Sequence, residues 1–600
     1  MTEPNKPAIL RVHELRTWLD TPQGVVRAVN SVSFTLERGR TLALLGESGC
    51  GKSMTALSLM RLVPEPAGHI VGGAVELDGT DLLDLPEHAM RRLRGRRLAM
   101  IFQEPMSALN PVLTVGDQIG EALRRHFGLR GKRRRERCLA LLREVGLPDP
   151  EARLDAYPHQ LSGGMKQRVG IAIALAGEPE VLIADEPTTA LDVTVQAQIL
   201  ALLARLQRDR GMAMLLITHD LAVVRQVADR VAVMYAGHIV EQASREALFA
   251  QPQHPYTRAL FASVPDRQRR RQRLTVIRGS VPSLARQFQA CRFADRCEHA
   301  WDDCRNTAPA WIDTDSGRVR CHLYDRRIAK QPPVQTPAVA DTAAEPDTHP
   351  VGNGQALLEA RDVKVHFPIK RGVLKRTVGH VFAVDGVSLQ VTPGRTLALV
   401  GESGCGKTTL GLALLQLLRP SAGSVHFDGV DLARLRRHAL RRKRRELQMI
   451  FQDPYSSMDP RMRIADVVIE GMRAQGIGGG VKQRRKRAAE LLEEVGLDAA
   501  ALDRYPHEFS GGQRQRVCIA RALAVDPRLI ICDEPTSALD VSVQAQVLNL
   551  LRRLQGEYAL AYLFISHNMA VVGYIADEVA VMYLGRVVEQ GPVDEVMQRP

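Results

Sequence analysis

One set of short motifs occurs twice, in the same order, in this 600-residue chain. The first copy reads GESGCGKS at Gly46–Ser53, LSGGMKQR at Leu161–Arg168, VLIADEP at Val181–Pro187 and ITHD at Ile217–Asp220. The second reads GESGCGKT at Gly401–Thr408, FSGGQRQR at Phe509–Arg516, LIICDEP at Leu529–Pro535 and ISHN at Ile565–Asn568. Lys407 stands 355 positions after Lys52, while Glu534 and His567 each stand 348 after Glu186 and His219. A repeat this long is a duplicated domain, not the about 20–50-residue unit of a solenoid. The chain is therefore expected to fold as two similar domains, in line with a length beyond what one hydrophobic core serves.

Composition fits a globular protein, with 45% apolar and 25% charged residues. No apolar run reaches the roughly eighteen residues of a membrane span. The start, MTEPNKPAIL, lacks the basic-then-apolar pattern of a signal peptide, which predicts a cytosolic protein. The net charge of +14 is gathered at Lys132–Arg137, Arg267–Arg273, Arg436–Arg445 and Lys482–Arg487. Solvated faces are the favoured reading of such runs. Anionic lipid headgroups come second and nucleic acid third, because phosphate attraction is independent of sequence.

Residues 1–260 form the first repeat and 355–600 the second. Alternating apolar residues at Val29–Leu36 and Val384–Val391 predict strands. A short apolar strand then feeds each Gly-rich loop, through TLALLG at Thr41–Gly46 and TLALVG at Thr396–Gly401, with helices beginning at Lys52 and Lys407. Strand–loop–helix is the context that makes a phosphate loop credible. Polar, helix-rich stretches at about 90–160 and 435–508 read as a helical subdomain inserted into an α/β core. Residues 261–327 belong to neither repeat. Residues 328–354, rich in Pro, Ala, Thr and Asp, read as a flexible linker.

The loop Gly46, Glu47, Ser48, Gly49, Cys50, Gly51, Lys52, Ser53 has the spacing that turns backbone N–H groups onto phosphate oxygens at a helix N-terminus. Gly401, Glu402, Ser403, Gly404, Cys405, Gly406, Lys407 and Thr408 repeat it. Lys52 and Lys407 reach β- and γ-phosphates, and Ser53 and Thr408 can hold Mg²⁺. Asp185 and Asp533 end apolar strands, where a carboxylate can reach the same ion. Glu186 and Glu534 follow as candidate general bases for the attacking water. His219 and His567 follow a further apolar strand and are assigned to γ-phosphate sensing. Gln103 and Gln452, in IFQEP and IFQDP, can contact Mg²⁺ or water.

Phosphate loop, Gln loop, LSGG-type signature, acidic strand end, ALD loop (Ala190–Asp192, Ala538–Asp540) and His together resemble the ABC ATPase family over almost the whole chain. The resemblance implies two tandem P-loop NTPase domains that form a head-to-tail dimer within one chain, each signature closing the other domain's site. Ser162, Gly163 and Gly164 would complete the site of Lys407, and Ser510, Gly511 and Gly512 that of Lys52. Serines opening helices there can present N–H groups to a γ-phosphate. The family often stacks an aromatic residue on adenine about 25 positions before the Lys; Phe382 matches, with simple core packing as the competing reading. The first repeat has Arg27 there, whose guanidinium plane could stack instead.

Nine cysteines are present. Cys50 and Cys405 lie in the phosphate loops, and Cys138, Cys518 and Cys532 read as small core residues. Cys291, Cys297, Cys304 and Cys321 have the spacing C-x5-C-x6-C-x16-C. Disulfides are disfavoured in a cytosolic ATPase. Four thiolates suit zinc or an iron–sulfur cluster, and the lack of tight C-x2-C pairs weakens the zinc-ribbon reading. QPQHPYTRAL at Gln251–Leu260 resembles the C-terminal region of oligopeptide and dipeptide importer ATPases. In that family a four-Cys segment at this place can hold a [4Fe–4S] cluster. Zinc, or no metal, remains the alternative. The sequence ends at Pro600, the counterpart of Pro252, before any second HPYTRAL string. A shortened chain and a second half built without that tail both stay open.

The resemblance therefore implies a fused D-type plus F-type ATPase of a peptide importer at the cytoplasmic face of the inner membrane. ATP and Mg²⁺ are its cofactors. Two transmembrane permease subunits and an extracytoplasmic peptide-binding protein are separate partners, and no nucleic acid is expected. Loops near Gln103–Pro111 and Gln452–Pro460 would pass motion to the permeases. Glutathione importers have similar fused ATPases. The competing reading is a soluble twin-ABC protein acting on ribosomes or DNA. Ribosome-recycling members carry their iron–sulfur segment before the first ATPase domain, whereas here the Cys segment follows it.

Overall fold

The computed structural model describes residues 7–22, 24–103, 108–189, 191–265, 270, 272–325, 356–371, 376–537 and 539–600. Ala190, Ala538, Glu104–Ser107, the 328–354 linker and part of Arg267–Arg273, all singled out above, lie outside the described residues. The chain divides into two compact units, Met1–Ala262 with Ile277–Ala338, and Ser263–Val276 with Val339–Pro600.

Each unit is α/β, built on two sheets. In the first, an antiparallel sheet runs in the order Gly24–Glu37, Ala8–Thr21, Gly68–Leu77, Thr80–Asp81. The central sheet places Thr41–Leu45 between Arg230–Tyr235 and Ala213–Thr218, and continues through Val181–Asp185 to Leu98–Ile101, all parallel. The strands Thr41–Leu45, Val181–Asp185 and Ala213–Thr218 are buried along their whole length. This explains their continuous apolar reading, because a parallel sheet is covered on both faces. One core lies between the antiparallel sheet, the helix Lys52–Leu59 and the central sheet. A second joins the sheet's other face to the helices Val115–Phe127, Gly131–Glu144 and Gly163–Leu175. Val115–Phe127 and Gly131–Glu144 lie in the stretch read from sequence as an inserted helical subdomain, and the basic run on Gly131–Glu144 faces solvent, pairing with Asp155 and Glu178.

The second unit repeats the plan, with Thr396–Val400 between Ala561–Ile565 and Glu578–Tyr583, and Leu529–Asp533 next to Ala561–Ile565. Cys138, Cys518 and Cys532 are buried, as small apolar side chains are. Among the described residues, no helix is long and apolar enough to cross a membrane.

Residues 261–327 are not one independent insertion. The hairpin Ile312–Thr314 and Gly317–Val319 joins the edge of the first central sheet, Val319 opposite Glu241. Ser263–Val276 instead belongs to the second unit. Leu274 enters that unit's core. Its N–H donates to Asn549 Oδ1 at 3.1 Å, and its carbonyl accepts from Asn549 Nδ2 at 2.9 Å. Arg270 pairs with Asp594 at 2.8 Å. Leu274 is only 2% exposed, so Leu274→Ala is expected to cost about 2 kcal/mol or more. The readouts are a lower urea midpoint for the second unit and faster tryptic cleavage after Arg270 and Arg273; unchanged values would show that the segment is not held there.

Candidate functional site

Each phosphate loop leaves a buried strand and enters a helix at its Lys. Gly51 and Gly406 adopt φ of 104° and 106°, and a Cβ there would overlap the carbonyl oxygens of Ala28 and Ala383. Only glycine meets both demands. Lys52 Nζ donates to the carbonyls of Gly46 and Glu47 at 2.8 and 2.9 Å, and Lys407 Nζ to those of Gly401 and Glu402 at 2.7 and 2.8 Å. The ammonium is thereby fixed inside the turn of N–H groups that a phosphate would enter.

Asp185 and Asp533 are the last residues of buried strands. Burial pushes each up to about 6; a hydroxyl (Ser53 or Thr408) and the nearby Lys oppose this, and the neighbouring Glu adds to it. Ser53 Oγ donates to Asp185 Oδ1 at 3.1 Å. Asp533 Oδ1 is buried with no hydrogen-bond partner. A buried, unpaired carboxylate oxygen beside a hydroxyl and a phosphate loop is the donor set of a hard divalent cation, and it fits Mg²⁺.

Glu186 and Glu534 follow with φ of 45° in both copies, a conformation that costs a non-glycine residue energy and is found at functional positions. His219 Nδ1 lies 3.0 Å from Glu186 Oε1, while Gln103 Nε2 and Thr189 Oγ1 both donate to Oε2 at 2.9 Å. In the second unit, His567 Nδ1 is 3.0 Å from Glu534 Oε1, and Gln452 Nε2 donates to Oε2 at 2.8 Å. Burial works to raise Glu186, but the His219 bond and charge, Thr189 and Lys52 outweigh it and bring it down to about 2. Glu534 is lowered by the same balance, with His567, Lys407 and Gln452 overcoming burial. Ser537 replaces Thr189 and donates to the Glu534 carbonyl instead of its carboxylate.

The signature serines cap helices as expected from sequence. Ser162 Oγ accepts from Met165 N, and Ser510 Oγ from Gln513 N, both at 3.4 Å. Gln513 Oε1 also accepts from the Ser510 N–H at 3.0 Å, closing a capping box. Gly163 and Gly164, and Gly511 and Gly512, open these helices. Asp192 and Asp540 cap the helices Val193–Arg210 and Val541–Tyr558.

Phe382 is 57% exposed and meets His366 edge-on, with centroids 4.6 Å apart. Core packing therefore does not account for it. In the first unit the pair is exchanged: Arg27 lies over Trp18, 5.2 Å from its centroid. Sequence reading missed Trp18, which sits on the facing strand where His366 stands in the second unit.

Cys291, Cys297, Cys304 and Cys321 line one cavity, walled by His254, Phe293, Trp301 and His322. The Cys291 N–H donates to the Cys304 carbonyl at 3.0 Å. Burial raises all four thiols, Cys291 and Cys297 to about 11 and Cys321 to about 12. Among the described residues, no three His, Cys, Asp or Glu side chains are gathered as a single metal ion requires.

The chain matches the family described as ABC transporter over residues 29–189 and again over 384–537. It matches the oligopeptide/dipeptide transporter C-terminal region over residues 240–304, a span that holds three of the four clustered cysteines. It is 44% identical to the peptidoglycan transport ATP-binding protein YejF of Agrobacterium fabrum, over 100% of this chain and 95% of that one. Identity to the glutathione import ATP-binding protein GsiA of Pectobacterium atrosepticum is 45%, over 99% and 87%. For the oligopeptide transport ATP-binding protein OppD of Mycobacterium tuberculosis it is 44%, over 99% and 96%.

The strand-end aspartates generate a prediction. A native pKa of about 6 against 3.8 means the native state binds the extra proton between those values, so stability falls as pH rises through the window. Above it the full cost, up to about 3 kcal/mol at roughly 1.4 kcal/mol per unit, is present. Asp185→Asn is therefore expected to raise the Tm of Mg²⁺-free protein at about pH 7.5, with a smaller gain near pH 5. Calorimetry at the two pH values checks this; a Tm that does not rise at the higher pH counts against it.

Proposed function

The chain belongs to the ABC transporter family, and from that premise we infer that it is the ATP-hydrolysing subunit of a peptide importer. The observation that carries this reading is the importer-type C-terminal segment, matched over 240–304 in the unit that also carries the first ABC transporter match. Relatives at 44–45% identity are named for peptidoglycan, glutathione and oligopeptide transport. Equal identity to proteins with three solutes means this chain's likeness does not select among them. The solute class we propose is peptides and modified peptides, with selection made by separate permeases and an extracytoplasmic binding protein. The chain then sits at the cytoplasmic face of the inner membrane through its permeases.

At each site the phosphate loop and Lys hold the β- and γ-phosphates. Ser53 with Asp185, and Thr408 with Asp533, would hold Mg²⁺, which neutralises charge developing between the β- and γ-phosphates. Glu186 and Glu534 stay ionised at neutral pH and orient the attacking water. A carboxylate with a pKa near 2 is a weak base, which suits a loose phosphoryl-transfer transition state that needs positioning more than early deprotonation. With the Glu ionised, His Nδ1 donates to it, which leaves Nε2 to meet a γ-phosphate. Gln103 and Gln452 sense the same carboxylates. Phe382 stacks on adenine in the second site. Cys291, Cys297, Cys304 and Cys321 would hold a [4Fe–4S] cluster.

Glu186→Gln combined with Glu534→Gln is expected to leave ATP bound while cutting turnover by about 10²–10⁴-fold. Undiminished phosphate release by the double variant would remove the base assignment. Anaerobically purified protein is expected to hold about four iron and four sulfide per chain; a colourless protein with stoichiometric zinc would refute the cluster. Peptide uptake that needs this chain together with its co-purifying permeases tests the transport reading, and co-purification with ribosomes instead would overturn it.

A further inference from the structure

The two phosphate loops have the same sequence from Gly46 to Lys52 and from Gly401 to Lys407, yet they are held differently. Glu47 is 3% exposed, and its carboxylate takes a two-pronged bond from Arg296: Nη1 to Oε2 at 2.9 Å and Nη2 to Oε1 at 3.3 Å. Arg296 is itself only 5% exposed in its side chain. It stands one residue before Cys297, on the short turn Ala294–Arg296 that links two of the clustered cysteines. The guanidinium is tied down on its other edges too. Nε donates to the Arg278 carbonyl at 2.9 Å, and Nη1 to Tyr235 Oη at 3.2 Å.

The backbone of Glu47 is clamped as well. Its N–H donates to Tyr256 Oη at 3.0 Å, and its carbonyl accepts from Lys52 Nζ. Tyr256 belongs to the helix Pro255–Ala262 and packs with Tyr235 and Phe293, centroids 4.6 and 5.6 Å away. Phe293 lies between Cys291 and Cys297 and lines the cysteine cavity. In the second unit, Glu402 is exposed and, among the described residues, has no ion-pair partner. Tyr583, the counterpart of Tyr235, is 53% exposed.

We propose that Arg296 is a positioning residue for the first ATP site, through which the cysteine-bearing segment sets the shape of the first phosphate loop and not the second. A buried carboxylate held by a bidentate guanidinium is fixed in place, and losing one partner strands the other as an unpaired buried charge. Because Lys52 anchors on the Glu47 carbonyl, a shift of Glu47 moves the ammonium that binds phosphate. The turn that carries Arg296 ends at a clustered cysteine. Whatever fixes those thiols thus fixes the first loop, and the affinity of one site for nucleotide follows the state of the cysteine cavity.

The proposal rests on Gly46–Ser53 being a nucleotide loop, and its test separates the two claims. Photolabelling of the full chain with 8-azido-ATP, quantified separately for peptides of each half, reads both sites at once. Arg296→Gln is expected to weaken first-half labelling about tenfold, a usual size for coupling between sites, with second-half affinity unchanged. Arg296→Lys, which keeps the charge, should retain most of it. Glu47→Gln added to Arg296→Gln should recover part of the loss, because no buried charge is then left alone. Equal labelling of the first half in parent and Arg296→Gln overturns the proposal, as does a parallel fall in both halves. Absence of labelling in the parent would instead overturn the nucleotide reading itself. If Arg296→Gln does not fold, the comparison of Arg296→Lys with the double variant decides by the same half-to-half difference.

Discussion

Two neighbouring carboxylates at the end of one buried strand must be driven into different environments, and the rest of each ATP site is arranged around that need. Burial alone would raise both acids, and each would raise the other. Asp185 is raised to about 6 by burial, against the bond it accepts from the Ser53 hydroxyl. Glu186 is brought down to about 2, because His219, Thr189 and Lys52 together outweigh its burial, while His219, Thr189 and Gln103 converge on its two oxygens. The left-handed backbone at Glu186 breaks the strand's alternation at the point where the two side chains must part. That strain is retained identically in Glu534. Pairs of titratable groups pushed apart in this way mark where acid, base and metal-ligand roles are divided.

Much of this was legible in the sequence because its signals are local. A buried strand running into a Gly-rich loop, a Lys opening a helix, an acidic pair ending an apolar run and a Ser capping a helix each occupy a few adjacent residues. What was not legible depends on partners far apart in the chain. The strands Ile312–Thr314 and Gly317–Val319 have three residues each, too few for a periodic pattern, and only pairing with Glu241–Ala243 defines them. Leu274 reads as one apolar residue in a basic stretch, and its place in the second unit's core rests on Asn549, 275 residues away. The Thr189 and Ser537 hydroxyls look interchangeable in sequence but choose different acceptors on the same Glu. Trp18 under Arg27 could have been found by pairing the first two strands of each repeat, since His366 faces Phe382 in the same register.

The two copies agree in the Gln and His contacts to the Glu after the buried strand and differ in what surrounds them. These contacts match within 0.1 Å, at 2.9 against 2.8 Å and 3.0 against 3.0 Å. Around them, the ring pair on the first two strands is Trp18 with Arg27 in one unit and His366 with Phe382 in the other, and the phosphate-loop Glu is buried in one and exposed in the other. Interactions made equally with the ground state and the transition state change binding and leave the chemical step alone. The Trp18–Arg27 pair and the buried Glu47 lie away from the Gln and His contacts, whereas Thr189 and Ser537 differ at the Glu itself. That is how a fused pair of unlike subunits would diverge.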